Sequence, residues 1–464
     1  MRIGKDHAKL SEISRQFCLE ALADGPVPEM ISRALTEAGK LTGQSGPLQP
    51  RLALWLVMGL ALWREDSIPA VFGRLVSGLR DRYGRISMKA VTQGALSHAR
   101  RRLGIRPLRL LFRQLCQQVE GRESFHGLRC WIIDGTKLTM QDTPANEEVF
   151  GRRTASRGRT AFCELGMVCL VEATRHLVRD AVFGMWQKHE KKAALRLMRH
   201  LGGGDLLLLD RGFYGLELFE ATVSRGIHFL CRAPSIPKLK PIRGTRQGHQ
   251  YEAWMRSRVI VDPDAPFGQR TRVLTMRVRV IDYRLKGYGR VRLVTSLMDR
   301  ELYPASELAV LYHTRWEAEL AFDEIKTHQN ANAHGQLQTV FRSKTPRNVL
   351  QEAYALLAVY NLVRQTMARS ASQDDLDPLH LSFLDGLRAI RHMLPRMQSA
   401  TAERLPELHR QLLADIAEAT IDRPRRGRAY PRVLRVKIGH FQLKRPHHRQ
   451  TVRDFAEMVR QAAA

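Results

Sequence analysis

The stretch LRCWIID, residues 128–134, is where the chain changes from a helical pattern to a sheet pattern. Its short apolar run before an acid predicts a buried strand that ends at Asp134. Residues 205–210, DLLLLD, repeat this pattern and predict a second buried strand that ends at Asp210. A carboxylate at a strand end lies at the sheet edge, where α/β sheets bind ligands. Either acid alone is more often structural, but two on neighbouring strands would share a divalent cation.

The sequence around these two strands alternates between strand and helix patterns. Further strands are predicted at TAFCELGMVCLVEA and RHLVRDAVFGM, joined by a turn near Thr174, and at IHFLCRA. Helices are predicted at QKHEKKAALRLMRHL and GLELFEATVSRG. This order predicts an α/β fold with a mixed sheet and flanking helices. Residues 232–291 are rich in Arg, Pro and Gly with alternating stretches, which predicts an inserted β subdomain.

Charge points to the class of partner. The chain has 75 Lys and Arg against 46 Asp and Glu, a net charge of +29. Such an excess predicts binding to a polyanion, and nucleic acid is the leading candidate because cationic side chains displace its condensed counterions. A ribosome-associated or merely basic protein is the alternative.

Two further features bear on the compartment. The six cysteines form no CxxC pair and mostly lie in apolar runs, which predicts buried free thiols in a reducing compartment and no zinc cluster. The amino terminus has no apolar signal segment, and the longest apolar run, Leu52 to Trp63, is shorter than a membrane span. We therefore expect a cytoplasmic protein.

The segment LYHTRWEAELAFDEIK, residues 311–326, predicts part of a long helix that starts near Ser306. At about 100° per residue, Tyr312, Arg315, Glu319 and Lys326 fall within an arc of about 60°. A simple amphipathic helix would place apolar residues on one face and scatter its charges opposite. This narrow polar stripe therefore predicts a functional surface. We expect Glu317, which points about 160° away from Glu319, to be solvated, and Asp323 to pair with a neighbouring base and not to bind metal.

Phosphodiester chemistry explains why these residue types would be combined. Two divalent ions can activate the attacking oxygen and stabilise the leaving one, and Mg²⁺ prefers hard oxygen ligands. Asp134, Asp210 and Glu319 would supply the catalytic, metal-binding carboxylates. Arg315 and Lys326 can hold phosphates on either side of the cut, and Tyr312 can donate a hydrogen bond to a phosphate oxygen.

Two basic clusters near these segments are candidate DNA contacts. Arg100 and Arg101 end a helix whose predicted N-cap is Ser87. This helix follows another after a short turn, as in a helix-turn-helix motif. A helical bundle with a basic last turn would look the same. Arg152 and Arg153 lie in a loop after the strand of Asp134, which favours DNA contact.

A third set of basic residues lies near the carboxyl end. Arg425, Arg426 and Arg428 belong to a basic segment interrupted by prolines, which predicts an extended arm along a phosphate backbone or into a minor groove. A solvated basic tail is the alternative. Arg211, directly after Asp210, is a further candidate DNA contact.

The spacing of Tyr312, Arg315, Glu319 and Lys326 is Y-x2-R-x3-E-x6-K, which resembles the signature of the insertion-sequence-four family of DDE transposases. The residues after Asp134 and the sequence DRGFY at 210–214 also resemble the motifs of that family. The resemblance extends to the helical start, with DSIP at 66–69, and to the carboxyl-terminal RRGRAYPR, so it covers nearly the whole chain. The four-residue spacing is specific, whereas the aspartate motifs alone are not.

The resemblance implies an RNase H-like catalytic core with a β subdomain inserted between the second aspartate and the glutamate. It implies metal-dependent cleavage at transposon ends and strand transfer by the freed 3′-hydroxyl, with two Mg²⁺ ions, or Mn²⁺, in each site. The partners would be terminal inverted repeats and target DNA, with a homodimer on the paired ends. The protein would then be bacterial and associated with the nucleoid.

This resemblance divides the sequence into three expected domains. Residues 1–124 would form a helical DNA-binding domain, residues 125–345 the catalytic domain, and residues 346–464 a helical region with the basic arm. Two other functions remain open: a non-catalytic DNA-binding relative, and a different RNase H-like nuclease such as a resolvase. The sequence contains no P-loop or HExxH motif, which argues against ATP use and zinc hydrolysis.

Overall fold

The computed structural model describes most of the chain, and its structure is reported for those residues alone. They are residues 27–40, 48–77, 91–152, 154–155, 158–185, 190–235, 237, 239–260, 271–284, 289–330, 340–401, 403–421, 428–429 and 453–463.

Helices account for much of the described chain. They are α1 Val27–Glu37, α2 Pro50–Leu62, α3 Ile68–Ser77, α4 Gln93–Leu103, α5 Arg106–Gln117, α6 Pro144–Phe150, α7 Glu190–Leu197, α8 Leu216–Val223, α9 Ala305–Tyr312, α10 Glu317–Lys326, α11 Pro346–Gln373, α12 Phe383–Ser399, α13 Leu405–Glu418 and α14 Phe455–Ala463.

The strands include one long central strand and several short pairs. They are β1 Glu123–Phe125, β2 Leu128–Met140, β3 Thr154–Ala155, β4 Gly158–Arg159, β5 Glu164–Glu172, β6 Val178–Met185, β7 Asp205–Leu209, β8 His228–Arg232, β9 Leu239–Pro241, β10 Gln250–Ile260, β11 Thr271–Arg284, β12 Arg290–Thr295, β13 Val340–Phe341, β14 Arg428–Ala429 and β15 Arg453–Asp454.

These elements belong to two compact units. The first comprises Met1–Gly121, Ile132–His200 and Glu317–Ile421. The second comprises Arg122–Trp131, Leu201–Trp316 and Asp422–Ala464. Strand β2 contributes its first residues to the second unit and the remainder to the first.

In the first unit, β5 lies between β6 and β2, and β13 pairs in parallel with the end of β2. All nine residues of β5 are buried, because its apolar run between Glu164 and Glu172 is covered on both faces. The predicted turn near Thr174 joins β5 to β6. The large hydrophobic core of this unit includes residues from β5, β6 and the helices α2, α5 and α11.

Helix α11 lies at the centre of this core. It packs against α2, α5 and α13. Its buried Asn361 accepts a hydrogen bond from the Val178 amide at 2.9 Å and donates to the Val178 carbonyl at 2.8 Å. One side chain thus satisfies two backbone groups at the start of β6, which would otherwise be costly to bury.

In the second unit, the strand order is β2-β7-β8-β12-β11-β10-β9. Strands β7 and β8 are parallel, whereas the strands from β8 to β9 pair antiparallel. The predicted β insertion at 232–291 is therefore seen as antiparallel strands, hydrogen-bonded to β8 through β12. Near the start of β7, Asp205 accepts hydrogen bonds from Arg129 Nε at 2.7 Å and Trp131 Nε1 at 2.9 Å.

Two sequence-based boundaries differ from the structure. Strand β2 does not end at Asp134 but continues to Met140, because Thr136, Leu138 and Met140 are buried alternately with half-buried neighbours. Helix α4 begins at Gln93, with Thr92 Oγ1 accepting from the Ala95 amide at 3.1 Å as its N-cap. The predicted cap, Ser87, lies outside the described residues.

The helical patterns predicted for the amino-terminal region and for residues 345–420 are confirmed where the chain is described. The cysteine prediction is also confirmed for Cys116, Cys130, Cys163, Cys169 and Cys231, which are buried and free. Cys18 lies outside the described residues. Within the described chain, no helix is both long and apolar enough to span a membrane.

Candidate active site

Asp134 lies at the middle of β2 and is half-buried. Its Oδ1 accepts a hydrogen bond from the Gly135 amide at 2.8 Å. A Cβ atom at position 135 would lie 2.7 Å from Glu190 Oε1, so a larger residue there would require the flexible Glu190 side chain to shift.

Asp210 follows the last residue of β7, as the sequence predicts for a strand-end acid. Its Oδ1 accepts from the Gly212 amide at 2.6 Å and caps a short 3₁₀ turn, Arg211–Phe213. This bond fixes the carboxylate at the end of the strand while leaving it half-buried. The neighbouring Arg211 is exposed.

The predicted single helix over residues 306–326 is interrupted. Helix α9 ends at Tyr312, residues 313–316 form a 3₁₀ turn, and α10 begins at Glu317. The Thr314 hydroxyl donates to the Leu311 carbonyl at 2.8 Å, which competes with the regular backbone pattern at this point. Tyr312 and Arg315 are buried, whereas Glu319 is exposed.

Positive charge surrounds Tyr312 and His313 in the second unit. Burial raises the pKa of Tyr312 above its usual range, Arg315 opposes this rise, and the negative charge of Asp210 adds to it. Burial, followed by the charges of Arg232 and Arg315, lowers the pKa of His313 to about 4. The Tyr312 phenol therefore stays protonated at neutral pH and keeps its donor proton.

Arg232 is a functional candidate that the sequence reasoning missed. It is the exposed last residue of β8, and β8 runs parallel to β7 with Cys231 opposite Leu209. The carboxyl ends of parallel neighbours meet at one sheet edge, so Arg232 and Asp210 end adjacent strands there. The apolar run IHFLC is followed by Arg232, just as the run LLLL is followed by Asp210. A charged residue directly after a short apolar run could therefore have identified Arg232 from the sequence.

Helix α10 carries Glu319 and Lys326 in the first unit. Lys326 Nζ donates to Thr136 Oγ1 at 3.3 Å, two residues beyond Asp134 on β2. Lys137 Nζ donates to Glu164 Oε1 at 2.6 Å. Burial and the nearby Lys137 ammonium lower the pKa of Lys326. Lys137, like Arg232, was missed by the sequence reasoning, and the two lysines place positive charge beside the β2 segment that follows Asp134.

A buried network holds α10 from the opposite side. Glu317 is 7% exposed and lies 2.7 Å from the Nε2 of His176, which corrects the expectation that it is solvated. Glu324 pairs with Arg364 and accepts from the Tyr360 hydroxyl at 2.8 Å. Burial alone would raise the pKa of Glu324, but Arg364 and His176 lower it to about 2. The helix is thus held through Glu317 and Glu324, which lie on either side of Glu319 in the sequence.

Asp323 is the other acid on α10 that resembles a metal ligand. It lies 3.3 Å from His328 Nε2, and its side chain is 55% exposed. This contact agrees with the expectation that Asp323 pairs with a neighbouring base.

In the part of the chain that the structure describes, no group of three or more His, Cys, Asp or Glu side chains is placed to hold a metal ion. The donor chemistry nevertheless suits a hard divalent ion, since Asp134, Asp210 and Glu319 supply only carboxylate oxygens.

Two predicted DNA contacts have other partners. Arg100 is 4% exposed and pairs with Glu352 at 3.4 Å and with Ser343 Oγ at 3.2 Å. Its prediction as a DNA contact was wrong, because the guanidinium is enclosed in the core of the first unit. Arg152 pairs with Asp142 and Glu147 and donates to the Ala161 carbonyl at 2.9 Å, so it organises its own loop instead of reaching outward.

Arg101 and Arg428 are two other predicted DNA contacts that the structure describes. Arg101 is exposed at the end of α4. Arg428 lies in β14, where it pairs with Asp454 of β15. Arg153, Arg425 and Arg426 lie outside the described residues.

Comparison with known families matches two regions of the chain. Residues 126–362 match the family described as "Transposase DDE domain", and residues 17–113 match "Insertion element 4 transposase N-terminal". The first match covers half of the chain and includes all three candidate carboxylates.

Individual relatives give the same result. The chain is 31% identical over 431 residues to the transposase InsG for insertion sequence element IS4 of Escherichia coli K12, covering 90% of this chain and 92% of that protein. It is 25% identical over 226 residues to the putative transposase InsZ of the same strain, covering 48% and 72%. Among solved structures, a piggyBac transposase synaptic complex with hairpin DNA matches at a TM-score of 0.46 and 13% identity, covering 88% of this chain and 85% of that one.

Proposed function

Because the chain belongs to the insertion element 4 family of DDE transposases, we propose that Asp134, Asp210 and Glu319 are its catalytic, metal-binding carboxylates. The chain is a transposase, an enzyme that cleaves DNA and transfers strands. Its mixed sheet with flanking helices is the RNase H-like core of such enzymes. The chemistry of this family depends on divalent metal in general.

The proposed metal is Mg²⁺, with Mn²⁺ as a substitute and two ions in each site. All three donors are carboxylates, which favours hard ions over zinc. When bound, the ions would activate the attacking water or 3′-hydroxyl and stabilise the leaving oxygen. Asp134 and Asp210 are each oriented by a backbone amide, so their carboxylates are positioned before any ion arrives.

The proposed role of the cations is to hold the phosphates. Arg315 and Arg232 place positive charge near Tyr312 and Asp210, and Lys326 does so beside Thr136. Guanidinium groups can bind a phosphate bidentately, and a lysine binds it as a point charge. Tyr312, which stays protonated, would donate its hydroxyl proton to a phosphate oxygen. The exposed Arg211 and Arg101 would contact the backbone further along the DNA.

DNA is the partner, and the finer assignments are part of the proposal. We expect the protein to bind the terminal inverted repeats and the target DNA as a homodimer, on the bacterial nucleoid. We also expect functional domains at 1–124, 125–345 and 346–464, with Arg428 and its neighbours in a DNA-contacting arm. These assignments rest on the basic charge of the chain and on its family.

One observation carries the site assignment. In each unit a candidate carboxylate is accompanied by cations that the fold brings to it from distant parts of the sequence. In the second unit the charges of Arg232, Arg315 and Asp210 all act on the Tyr312 hydroxyl, and in the first unit Lys326 from α10 donates to Thr136, two residues beyond Asp134.

The test is cleavage of a labelled duplex that carries the element's end, with Mg²⁺, comparing the wild type with Glu319→Gln. The variant should lose about 10³-fold or more in cleavage rate and still bind the duplex. Asp323→Asn is the matched control, because it removes an exposed carboxylate from the same helix. If Glu319→Gln cleaves as fast as the wild type, the assignment is wrong.

A second arm tests metal ligation directly. Asp134→Cys and Asp210→Cys should be inactive with Mg²⁺ and partly restored by Mn²⁺, which accepts sulfur ligands more readily. Failure of Mn²⁺ to restore either variant would argue that the acids do not touch metal. Joining of a precut 3′-hydroxyl end to a target plasmid separates the transposase from a resolvase-type nuclease, which would only cut.

A further inference from the structure

Helix α14 has one apolar side. Phe455, Val459 and Ala463 recur every four residues, so they lie along the same side of the helix. Val459 is fully buried and Ala463 is 2% exposed, whereas Glu457 and Arg460 are exposed. The helix packs against α9 and β11, which belong to the same unit, and this side is therefore the one that it buries there.

The start of α14 is fixed by local contacts. The carboxylate of Asp454, the residue before the helix, accepts a hydrogen bond from the Glu457 amide at 3.1 Å and so caps the first turn. Asp454 also belongs to β15, which pairs antiparallel with β14. The position of Phe455, the first residue of the helix, is therefore set by a helix cap and by a strand pair.

Phe455 contacts the turn that follows α9. The centroid of its ring lies 4.6 Å from that of the His313 imidazole, and the two ring planes are perpendicular, at 90°. Such an edge-to-face arrangement is a favourable geometry for two aromatic rings. His313 is the first residue of the 3₁₀ turn at 313–316, directly after Tyr312 and two residues before Arg315. A residue from a distant part of the sequence thus touches the segment that carries two of the proposed phosphate-binding residues.

The His313 ring is oriented by packing. Its Nε2 atom is buried, and no group among the described residues forms a hydrogen bond with it. The ring lies between Phe455 and Tyr312, whose ring centroid is 6.4 Å away. Burial, together with the charges of Arg232 and Arg315, lowers the pKa of His313 to about 4, so the ring is neutral at pH 7. A neutral imidazole can lie close to these arginines without repelling them.

From these contacts we propose that Phe455 is a positioning residue for DNA cleavage: it fixes the His313 ring, and through that ring the turn that carries Arg315 and follows Tyr312. Phe455 acts through His313 and does not itself contact the DNA. The inference rests on the proposed phosphate-binding role of Tyr312 and Arg315. Small displacements of groups that hold a substrate can slow a reaction by as much as about a hundredfold, so the orientation of this turn would affect the rate.

The alternative is that α14 only covers the apolar surfaces of α9 and β11. In that case Phe455 and the fully buried Val459 would be equivalent, because both lie on the apolar side of the helix. The contact between Phe455 and His313 favours the positioning role, since it reaches beyond α9 to the turn itself. The two residues therefore provide a matched comparison within one helix.

The test uses the full chain and three measurements: single-turnover cleavage of an end duplex with Mg²⁺, affinity for the same duplex without it, and NMR titration of the histidine ring resonances. Phe455→Ala should slow cleavage by about tenfold to thirtyfold and leave the affinity within about twofold, because the phosphate-binding groups are still present but less well placed. The pKa of His313 should rise from about 4 toward its usual value of 6.5, because the ring loses part of its cover. Phe455→Leu, which keeps an apolar contact, should recover most of the cleavage rate.

Val459→Ala is the matched control, because it removes buried methyl groups from the same helix. It should lower the Tm but leave the cleavage rate and the pKa of His313 near their wild-type values. If Val459→Ala slows cleavage and shifts that pKa as much as Phe455→Ala, α14 is only a cover and the positioning role is wrong.

Arg315→Gln, measured in parallel, separates this inference from the function on which it rests. If Arg315→Gln slows cleavage while Phe455→Ala cleaves at the wild-type rate, the inference about Phe455 alone is overturned. If Arg315→Gln cleaves at the wild-type rate, the proposed role of the turn fails, and the positioning role of Phe455 fails with it. Slow cleavage by both variants, with Val459→Ala unaffected, would support the proposal.

Discussion

His176 Nε2 and Glu317 Oε2 lie 2.7 Å apart, and both residues are buried. Arg364 Nη2 lies 3.0 Å from the other ring nitrogen, Nδ1. Nδ1 also lies 3.4 Å from Glu324 Oε2, and Nε2 donates to the Glu317 carboxylate. The turn between β5 and β6 thus holds the first residue of the helix that carries Glu319.

We expect His176→Asn to lower the free energy of unfolding by about 2–4 kcal/mol, because the Glu317 carboxylate loses its buried donor. Asparagine tolerates the positive φ of 61° at this position, so the loss would not come from backbone strain. Urea denaturation measures the change. Cleavage should also fall at temperatures where the variant is still folded, since α10 is less well fixed. Unchanged stability would contradict the role given to this bond.

Acid should destabilise the protein through Glu324. Its pKa is lowered to about 2, so it contributes stability above its unfolded pKa of about 4.5 and loses it as the pH falls toward 2. The contribution at neutral pH is at most about 3 kcal/mol. Glu324→Gln should be less stable at pH 7 and should show a flatter decline between about pH 5 and 2. Urea denaturation across that range checks this, with the exposed Asp323→Asn as the control.

Arg100 and Arg101 are adjacent in sequence but should respond in opposite ways to replacement. Arg100→Gln should cost about 3–5 kcal/mol of stability, because it leaves the buried Glu352 without its cation. Arg101→Gln should change stability by less than about 0.5 kcal/mol but weaken DNA binding and reduce its salt slope by about one. Thermal unfolding and salt-dependent binding distinguish the two. A salt slope unchanged by Arg101→Gln would remove that residue from the DNA surface.

Replacing Arg232 should change two measurable properties, the pKa of His313 and the rate of DNA cleavage. Arg232→Gln should raise the pKa of His313 above about 4, since the arginine charge is one cause of its low value. It should also slow cleavage by about tenfold to a hundredfold if it holds a phosphate beside Asp210. The histidine ring resonances in an NMR titration report the pKa. Arg211→Gln is the control, because its charge is not among those that lower the pKa of His313.

The sequence predicted the strands well because their signals are local. LRCWIID and DLLLLD are apolar runs whose ends are marked by acids, and both form strands, β2 and β7. The end of β2 was placed too early because Asp134 interrupts the apolar run, while the alternation beyond it resumes through Thr136, Leu138 and Met140. The hydrogen bonding and burial of β2 within the sheet outweigh the cost of placing the half-buried Asp134 in the strand.

The details of the candidate site depended on contacts that no local pattern contains. A helical wheel assumes one uninterrupted helix, and the Thr314 hydroxyl bond to the Leu311 carbonyl breaks that assumption. Glu317 appeared solvated because its partner, His176, is 141 positions away in the sequence. Arg100 appeared to face DNA because its partner, Glu352, is equally remote. Basic residues that serve the core and those that serve DNA cannot be separated from composition alone.

Strand β5 also has a consequence for how the chain is made. Seven apolar residues lie between its two terminal glutamates, and the strand is buried in a core that includes α11. That helix is synthesised about 170 residues later, which takes roughly 10–35 s at ordinary rates of translation. During this interval the nascent chain carries an apolar, β-prone segment that α11 does not yet cover, and segments of this kind aggregate. Expression yield should therefore depend on translation speed and on chaperones that occupy this strand until α11 emerges from the ribosome.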